Sequence, residues 1–190
     1  MGQCSGMTPD SALTGRPPDS SGKISRCSHS SLRGRRSFVD ELTAELRSFL
    51  DQRRCAVLAT QDPGGTIHLT PIWFLFEGGR FYFESSSTSR KVKNVEESPS
   101  ASVVVDAREP GRERWVSASG PVEIVRDAES ASINSRIRRR YLAEPALDGP
   151  LEAALAAADD VTLKLVPASW QSWAAPVMES PERLFLAVDP

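Results

Sequence analysis

The chain is expected to adopt an α+β fold in which six mostly antiparallel strands pack as a closed or split β-barrel flanked by helices. Three observations predict it. Apolar residues change from a spacing near 3.6 to a spacing of 2 after residue 50. Turns at Asp62-Pro63-Gly64-Gly65 and Glu77-Gly78-Gly79 separate the alternating runs. The elements run helix, three strands, helix, two strands, helices, strand, for which closure is a natural packing because it hides strand edges.

Taken in order, residues 1–36 are rich in Ser, Gly, Pro and Arg with almost no large apolar side chains. Such a segment buries too little surface to offset the entropy of ordering, and a disordered extension is expected. From Ser37, the residues Phe38, Leu42, Leu46, Phe49 and Leu50 share one helical face, with Asp40 and Glu41 favourably placed in the first turn. Strands follow at 55–60, 66–76 and 81–83, then a short helix at 87–97 ended by Ser98-Pro99. Two more strands cover 101–106 and 113–125, the second with a bulge or bend at Gly120-Pro121. Asp127 is placed to cap a helix whose stripe is Ile133, Ile137 and Tyr141. An Ala-rich helix at 151–158 and a last strand at 161–166 complete the set, followed by Trp170 and Trp173. The barrel domain is therefore assigned to 37–175 and a C-terminal tail to 176–190.

At 190 residues and 39% hydrophobic the chain suffices for one well-packed core. Lys plus Arg total 23 against 25 Asp plus Glu, so nothing global attracts nucleic acid or an anionic membrane, and neither is expected as a partner. Cys4, Cys27 and Cys55 have no metal-ligand spacing, no metal site is assigned, and a reducing cytoplasm suits them. No apolar run approaches a membrane span, the N-terminus lacks a secretory apolar stretch, and Gly6 stands where a myristoylation motif has Ser or Thr. A cytoplasmic protein is expected.

Four stretches carry a resemblance: Ala56-Val57-Leu58-Ala59-Thr60, the Gly64-Gly65 turn, His68-Leu69-Thr70-Pro71-Ile72-Trp73-Phe74, and Ser89-Arg90-Lys91-Val92-Lys93-Asn94-Val95. In this order they resemble the pyridoxamine 5′-phosphate oxidase-like superfamily of FMN-binding split barrels. Within it they look like the flavin and deazaflavin oxidoreductases common in actinobacteria. The likeness covers nearly everything between the two tails. It implies a homodimer with two cofactor sites at the subunit interface. It also implies a cofactor that is deazaflavin F-420 first, FMN as the alternative, and haem after both. The reaction implied is hydride transfer to a small electron-poor organic substrate.

A phosphate needs converging N–H or ammonium donors, and a helix N-terminus supplies some of them. Ser85 and Ser86 lead into such a helix, with Lys91 and Lys93 just beyond; the family pattern puts these lysines and Asn94 at the cofactor phosphate or its neighbourhood. A solvated helix face with ordinary caps accounts for the same residues. In the family pattern Thr70, Pro71, Ile72 and Trp73 run beside the cofactor ring, although plain barrel core is the alternative. Alternation sends Trp73 and Phe74 to opposite faces, one to the barrel and one outward or to a partner.

His68 could serve as a catalytic group or haem ligand, but a lone strand histidine is more often structural. Arg136, Arg138, Arg139 and Arg140 form the strongest charge cluster, either a solvated face or a track for the oligoglutamate tail of F-420. No catalytic residue stands out, and no nucleophile elbow, Walker loop or dinucleotide glycine motif is present. The vitamin B6 oxidases of the family end in an Arg-Leu-x-Pro pattern, whereas this chain has Arg183-Leu184-Phe185-Leu186. A non-catalytic flavin- or haem-binding protein is the reading from another class.

Overall fold

Alternating strands and glycine turns produce one antiparallel sheet, described in a computed structural model for residues 35–38, 42–147 and 149–176, all within the compact unit Ser31–Pro190. Residues 1–34 of the expected extension and 177–190 of the expected tail lie outside the described residues. The elements are β1 (Arg35–Phe38), α1 (Ala44–Leu50), β2 (Ala56–Gln61), β3 (Ile67–Ile72), β4 (Leu75–Glu77), β5 (Arg80–Ser86) and α2 (Arg90–Glu97). They continue with β6 (Ser100–Ala107), β7 (Arg114–Val125), α3 (Asp127–Tyr141), α4 (Glu144–Leu147), α5 (Pro150–Ala156), β8 (Asp160–Leu165) and β9 (Ser169–Ala174).

Nine strands among the described residues, rather than six, correct the expected count. The single strand expected over 66–76 breaks at Trp73-Phe74 into β3 and β4. Residues 169–174 form β9 along β7, and β1 then adds to β9. Neither was legible, because their pairing comes from distant partners. The expected helix start at Ser37 is also corrected: Phe38 is in β1, and α1 begins at Ala44, where the Thr43 hydroxyl accepts from the Leu46 N–H at 3.2 Å. Glu45 is the acidic residue of that first turn, while Asp40 and Glu41 fall outside the described residues. Asp127 does not cap α3. It is the first helical residue, at φ 60°, a left-handed conformation that Asp tolerates better than most side chains.

The sheet runs β3-β2-β6-β7-β8-β5-β4. Its two ends, β3 and β4, are halves of one extended segment separated by two residues, so the sheet must curl back on itself, yet the two do not pair. The interior of the curl holds Phe74, Phe76, Phe81 and Phe83 against Leu58, Val103, Val105, Val116, Leu163 and Leu165. Leu46, Phe49 and Leu50 of α1 and Val92 and Val95 of α2 complete that core. On the outside, Ile133 and Ile137 of α3 pack with Val125, Tyr82 and Tyr141, which realises the expected stripe.

At Gly120-Pro121, where a bend was expected, β7 changes partners. One edge pairs with β9 as far as Ser119 and with β8 from Val122. No helix among the described residues is long and apolar enough to cross a membrane.

Candidate functional site

The break between β3 and β4 creates the site. Phe74 turns inward and is fully buried, leaving Trp73 outward and 38% exposed. Trp73 stacks on Tyr141 of α3, ring centroids 5.0 Å apart and planes within 2°. The Tyr141 hydroxyl donates to the Arg54 carbonyl at 2.7 Å and also meets the Phe74 backbone, accepting from its N–H at 3.2 Å. Burial pushes the Tyr141 phenol above its ordinary pKa, so the hydroxyl stays a donor. This anchor holds the indole at the rim of a cavity of about 520 Å³. Pro71, Ile72, Trp73 and Leu155 form its apolar side; Cys55, Glu84, Ser85, Ser86 and Asp160 form its polar side. That size and mixture suit an organic ring carrying polar groups.

Beyond Ser86 the chain enters α2. The Ser89 hydroxyl caps the helix on the Val92 N–H, and Ser85 and Ser89 hydroxyls bond at 2.8 Å. The N–H groups of Ser87, Ser89, Val92 and Lys93 all have acceptors. The Arg90 and Lys91 N–H groups therefore remain as the first-turn donors with no acceptor inside the helix. Arg90 reaches Asp62 at 2.7 Å and ties the helix start to the β2–β3 turn. Lys91 is half-buried, and no carboxylate among the described residues lies within ion-pair distance of it. Desolvation lowers its pKa below that of an ordinary lysine, with the charge of Asp160 acting in the opposite direction.

Behind the polar wall, the guanidinium of Arg138 bonds one oxygen of Glu84 through both Nε and Nη2. It also reaches Glu152 at 3.4 Å and the Leu155 carbonyl at 2.9 Å. Burial raises the Glu84 pKa against the downward pull of Arg138. Cross-strand register sets Ser86 directly opposite Asp160 and Glu84 opposite Thr162, so Glu84 and Asp160 are diagonal neighbours on one face.

Of the nine residues singled out from sequence, Pro71, Ile72, Trp73, Ser85 and Ser86 line the cavity. Thr70 lies one residue short of it, its hydroxyl 2.9 Å from His68 Nε2. Lys91, in the first turn of α2, lies outside the cavity lining, and Lys93 is exposed. Asn94 is buried and donates to the Thr60 hydroxyl at 3.0 Å, fastening α2 to β2. Three of the four clustered arginines are engaged within the chain: Arg136 with Glu77, Arg138 with Glu84 and Glu152, and Arg140 with the carbonyls of Leu50 and Gln52. Sequence reasoning missed Cys55, Glu84, Leu155 and Asp160 in the wall, and Tyr141 and Arg138 behind it. The charge of Glu84 directly after Phe81-Tyr82-Phe83 was the one available signal; the others depend on long-range pairing.

The residues present fit a phosphate-bearing ring cofactor: the cavity has an apolar side and the Ser85 and Ser86 hydroxyls, and the start of α2 just beyond adds the Arg90 and Lys91 amides and the half-buried Lys91 ammonium. Comparisons with known proteins agree on the scaffold. A conserved hypothetical protein from Mycobacterium tuberculosis is 24% identical, with a TM-score of 0.62 over 80% of this chain and 94% of that one. An F-420 reductase is 26% identical, TM-score 0.52, over 65% of this chain and 94% of its own. HutZ, a haem storage protein from Vibrio cholerae, is 17% identical, TM-score 0.56, over 70% and 95%. No curated protein matches the chain. The pyridoxamine 5′-phosphate oxidase family model matches residues 42–174, and the chain belongs to that family.

Proposed function

We propose that the chain is a cytoplasmic, homodimeric oxidoreductase that binds deazaflavin F-420 and reduces a small electron-poor organic substrate such as an enone or quinone. The observation that carries this reading is the convergence of two separate stretches, Pro71–Trp73 and Ser85–Ser86, on one cavity whose Asp160 acts on the charge of Lys91. The 26% identical F-420 reductase supports the choice of cofactor. FMN is the alternative, since its ring has the same outline and its phosphate the same needs.

When bound, the cofactor supplies the hydride chemistry. The chain's own residues bind, orient and exclude water. Trp73, held by Tyr141, and Ile72 offer an apolar wall for a planar ring. Lys91 and the Arg90 and Lys91 amides would hold the phosphate, with Ser86 and Thr88 hydroxyls nearby. Fixed orientation accounts for much of the rate advantage such a site can give.

The dimer reading draws on the outer face of β3, where Ile67 and Leu69 stand 56% and 62% exposed at a sheet edge. A sedimentation mass of one chain, with or without cofactor, counts against it. Cofactor identity is tested by titrating purified protein with F-420, FMN and haem, followed by absorbance and thermal shift. Saturable F-420 binding with the largest thermal shift is expected; haem binding alone overturns the reading.

Replacing Lys91 by Ala is expected to weaken cofactor binding by about tenfold or more, the worth of a charged hydrogen bond. Because desolvation lowers the Lys91 pKa, the wild-type affinity should decline as pH rises, beginning below the range of an ordinary lysine. The K91A affinity should lack that decline. Isothermal titration across alkaline pH reads both, and an unchanged dissociation constant in K91A places the phosphate elsewhere.

A further inference from the structure

The charges around the phosphate end of the cavity do not balance for every anion. Three carboxylates border the turn that leads into α2. Asp160 pairs across the strands with Ser86, Glu84 is its diagonal neighbour, and the Asp159 carboxylate accepts from the Ser87 hydroxyl at 2.5 Å. Glu84 and Asp160 both line the cavity wall. On the cationic side, Arg138 is committed to Glu84 and Glu152, and Arg90 to Asp62. Lys93 is exposed. Lys91 is thus the half-buried cation left facing this end, with Asp160 the carboxylate whose charge it feels most.

We infer that Asp160 is a specificity residue that makes the cavity accept a singly charged phosphodiester in preference to a doubly charged phosphomonoester. The inference rests on the cofactor reading above and deepens it. One negative charge on the ligand is matched by Lys91. Among the described residues of one chain a second charge finds no further half-buried cation free of an ion pair at this end, and it meets the carboxylate of Asp160 across the Ser86 position. In the partly desolvated cavity, like charges a few ångströms apart repel more strongly than in water. The two cofactor classes differ in this respect. F-420 carries its phosphate as a diester with one charge, whereas a terminal monoester such as that of FMN carries roughly −1.5 to −2 at pH 7.

The test holds the ring constant and changes only the phosphate. Dissociation constants for FMN and for riboflavin 4′,5′-cyclic phosphate, a diester, are measured by fluorescence quenching with wild type, D160N and D160S, and F-420 is measured alongside. Wild type is expected to bind the cyclic diester more tightly than FMN. Removing the carboxylate in D160N should tighten FMN by about tenfold and the diester by only about threefold, because the repulsion scales with the charge on the ligand. D160S guards against an effect peculiar to the amide, and thermal melts establish that each variant is folded. Equal gains for both esters, or none for FMN, overturn the inference while leaving F-420 binding and the cofactor reading intact. If no probe binds wild type, the cofactor reading fails and the inference falls with it.

Discussion

Replacing Arg138 by Ala is expected to lower the unfolding free energy by about 3–5 kcal/mol at pH 7, the range for breaking a buried ion pair from one side. The guanidinium is 5% exposed and is shared by Glu84, Glu152 and the Leu155 carbonyl. Its loss leaves Glu84, 14% exposed at the side chain, as an uncompensated charge in the cavity wall. The deficit should depend on pH with a definite sign. The folded-state pKa of Glu84 is already raised by burial, and without Arg138 it rises further. A group whose folded pKa lies above its unfolded value contributes stability below the unfolded pKa and loses it as pH rises through the folded one. The difference between R138A and wild type should therefore shrink on going from pH 7 towards the unfolded pKa of Glu, roughly 4.3. Urea unfolding at several pH values measures it. A pH-independent deficit would show that lost packing, not the stranded carboxylate, is the cause. The double variant E84Q/R138M, which removes both charges, should recover much of the stability.

Gly120→Ala is expected to be comparably damaging, about 3 kcal/mol or more, for a purely steric reason. A Cβ at this position would stand 2.0 Å from the Val166 carbonyl oxygen and 2.9 Å from the Ala168 nitrogen. Both belong to the short link between β8 and β9, which crosses directly over Gly120-Pro121. That link is fixed by two hydrogen bonds, Val166 N–H to the Pro121 carbonyl at 3.0 Å and Ala168 N–H to the Ser119 carbonyl at 2.9 Å. No side-chain rotation can relieve a clash with backbone, so the link must lift and both bonds weaken. The thermal midpoint should fall by roughly 6–12 °C, given about 2–4 °C per kcal/mol in a domain of this size. A midpoint within a degree or two of wild type would mean that the link yields freely. Both variants bear on function, because β8 carries Asp160 into the cavity wall and Arg138 braces Glu84 from behind.

Part of the fold, and five of the residues that line the cavity, were legible in short stretches of sequence. The two glycine turns and the alternation of β2, β5, β6 and β8 follow from local chemistry. The helix expected over 87–97 is present but begins at Arg90, because Ser89 caps it and accepts from the Val92 and Lys93 amides. What was not legible depended on residues far apart in the chain. The break at Trp73-Phe74 cannot be read from an unbroken apolar run, because both residues suit a strand; Tyr141, 67 positions away, holds Phe74 by its backbone and stacks on Trp73. The arginine cluster of α3 looked like an exposed track, yet Arg138 faces β5 because the helix docks on that side of the sheet. Asp160 begins an ordinary strand and acquires meaning only opposite Ser86.

By itself, then, the sequence determined the α+β class and the antiparallel pairing, because turn chemistry and side-chain period act over a few residues. Only the tertiary structure decided the number of strands, the inward choice of Phe74 over Trp73, and the charge of the cavity wall. Those follow from which distant strands and helices pack together, and packing partners are set by the burial of the whole core rather than by any local run.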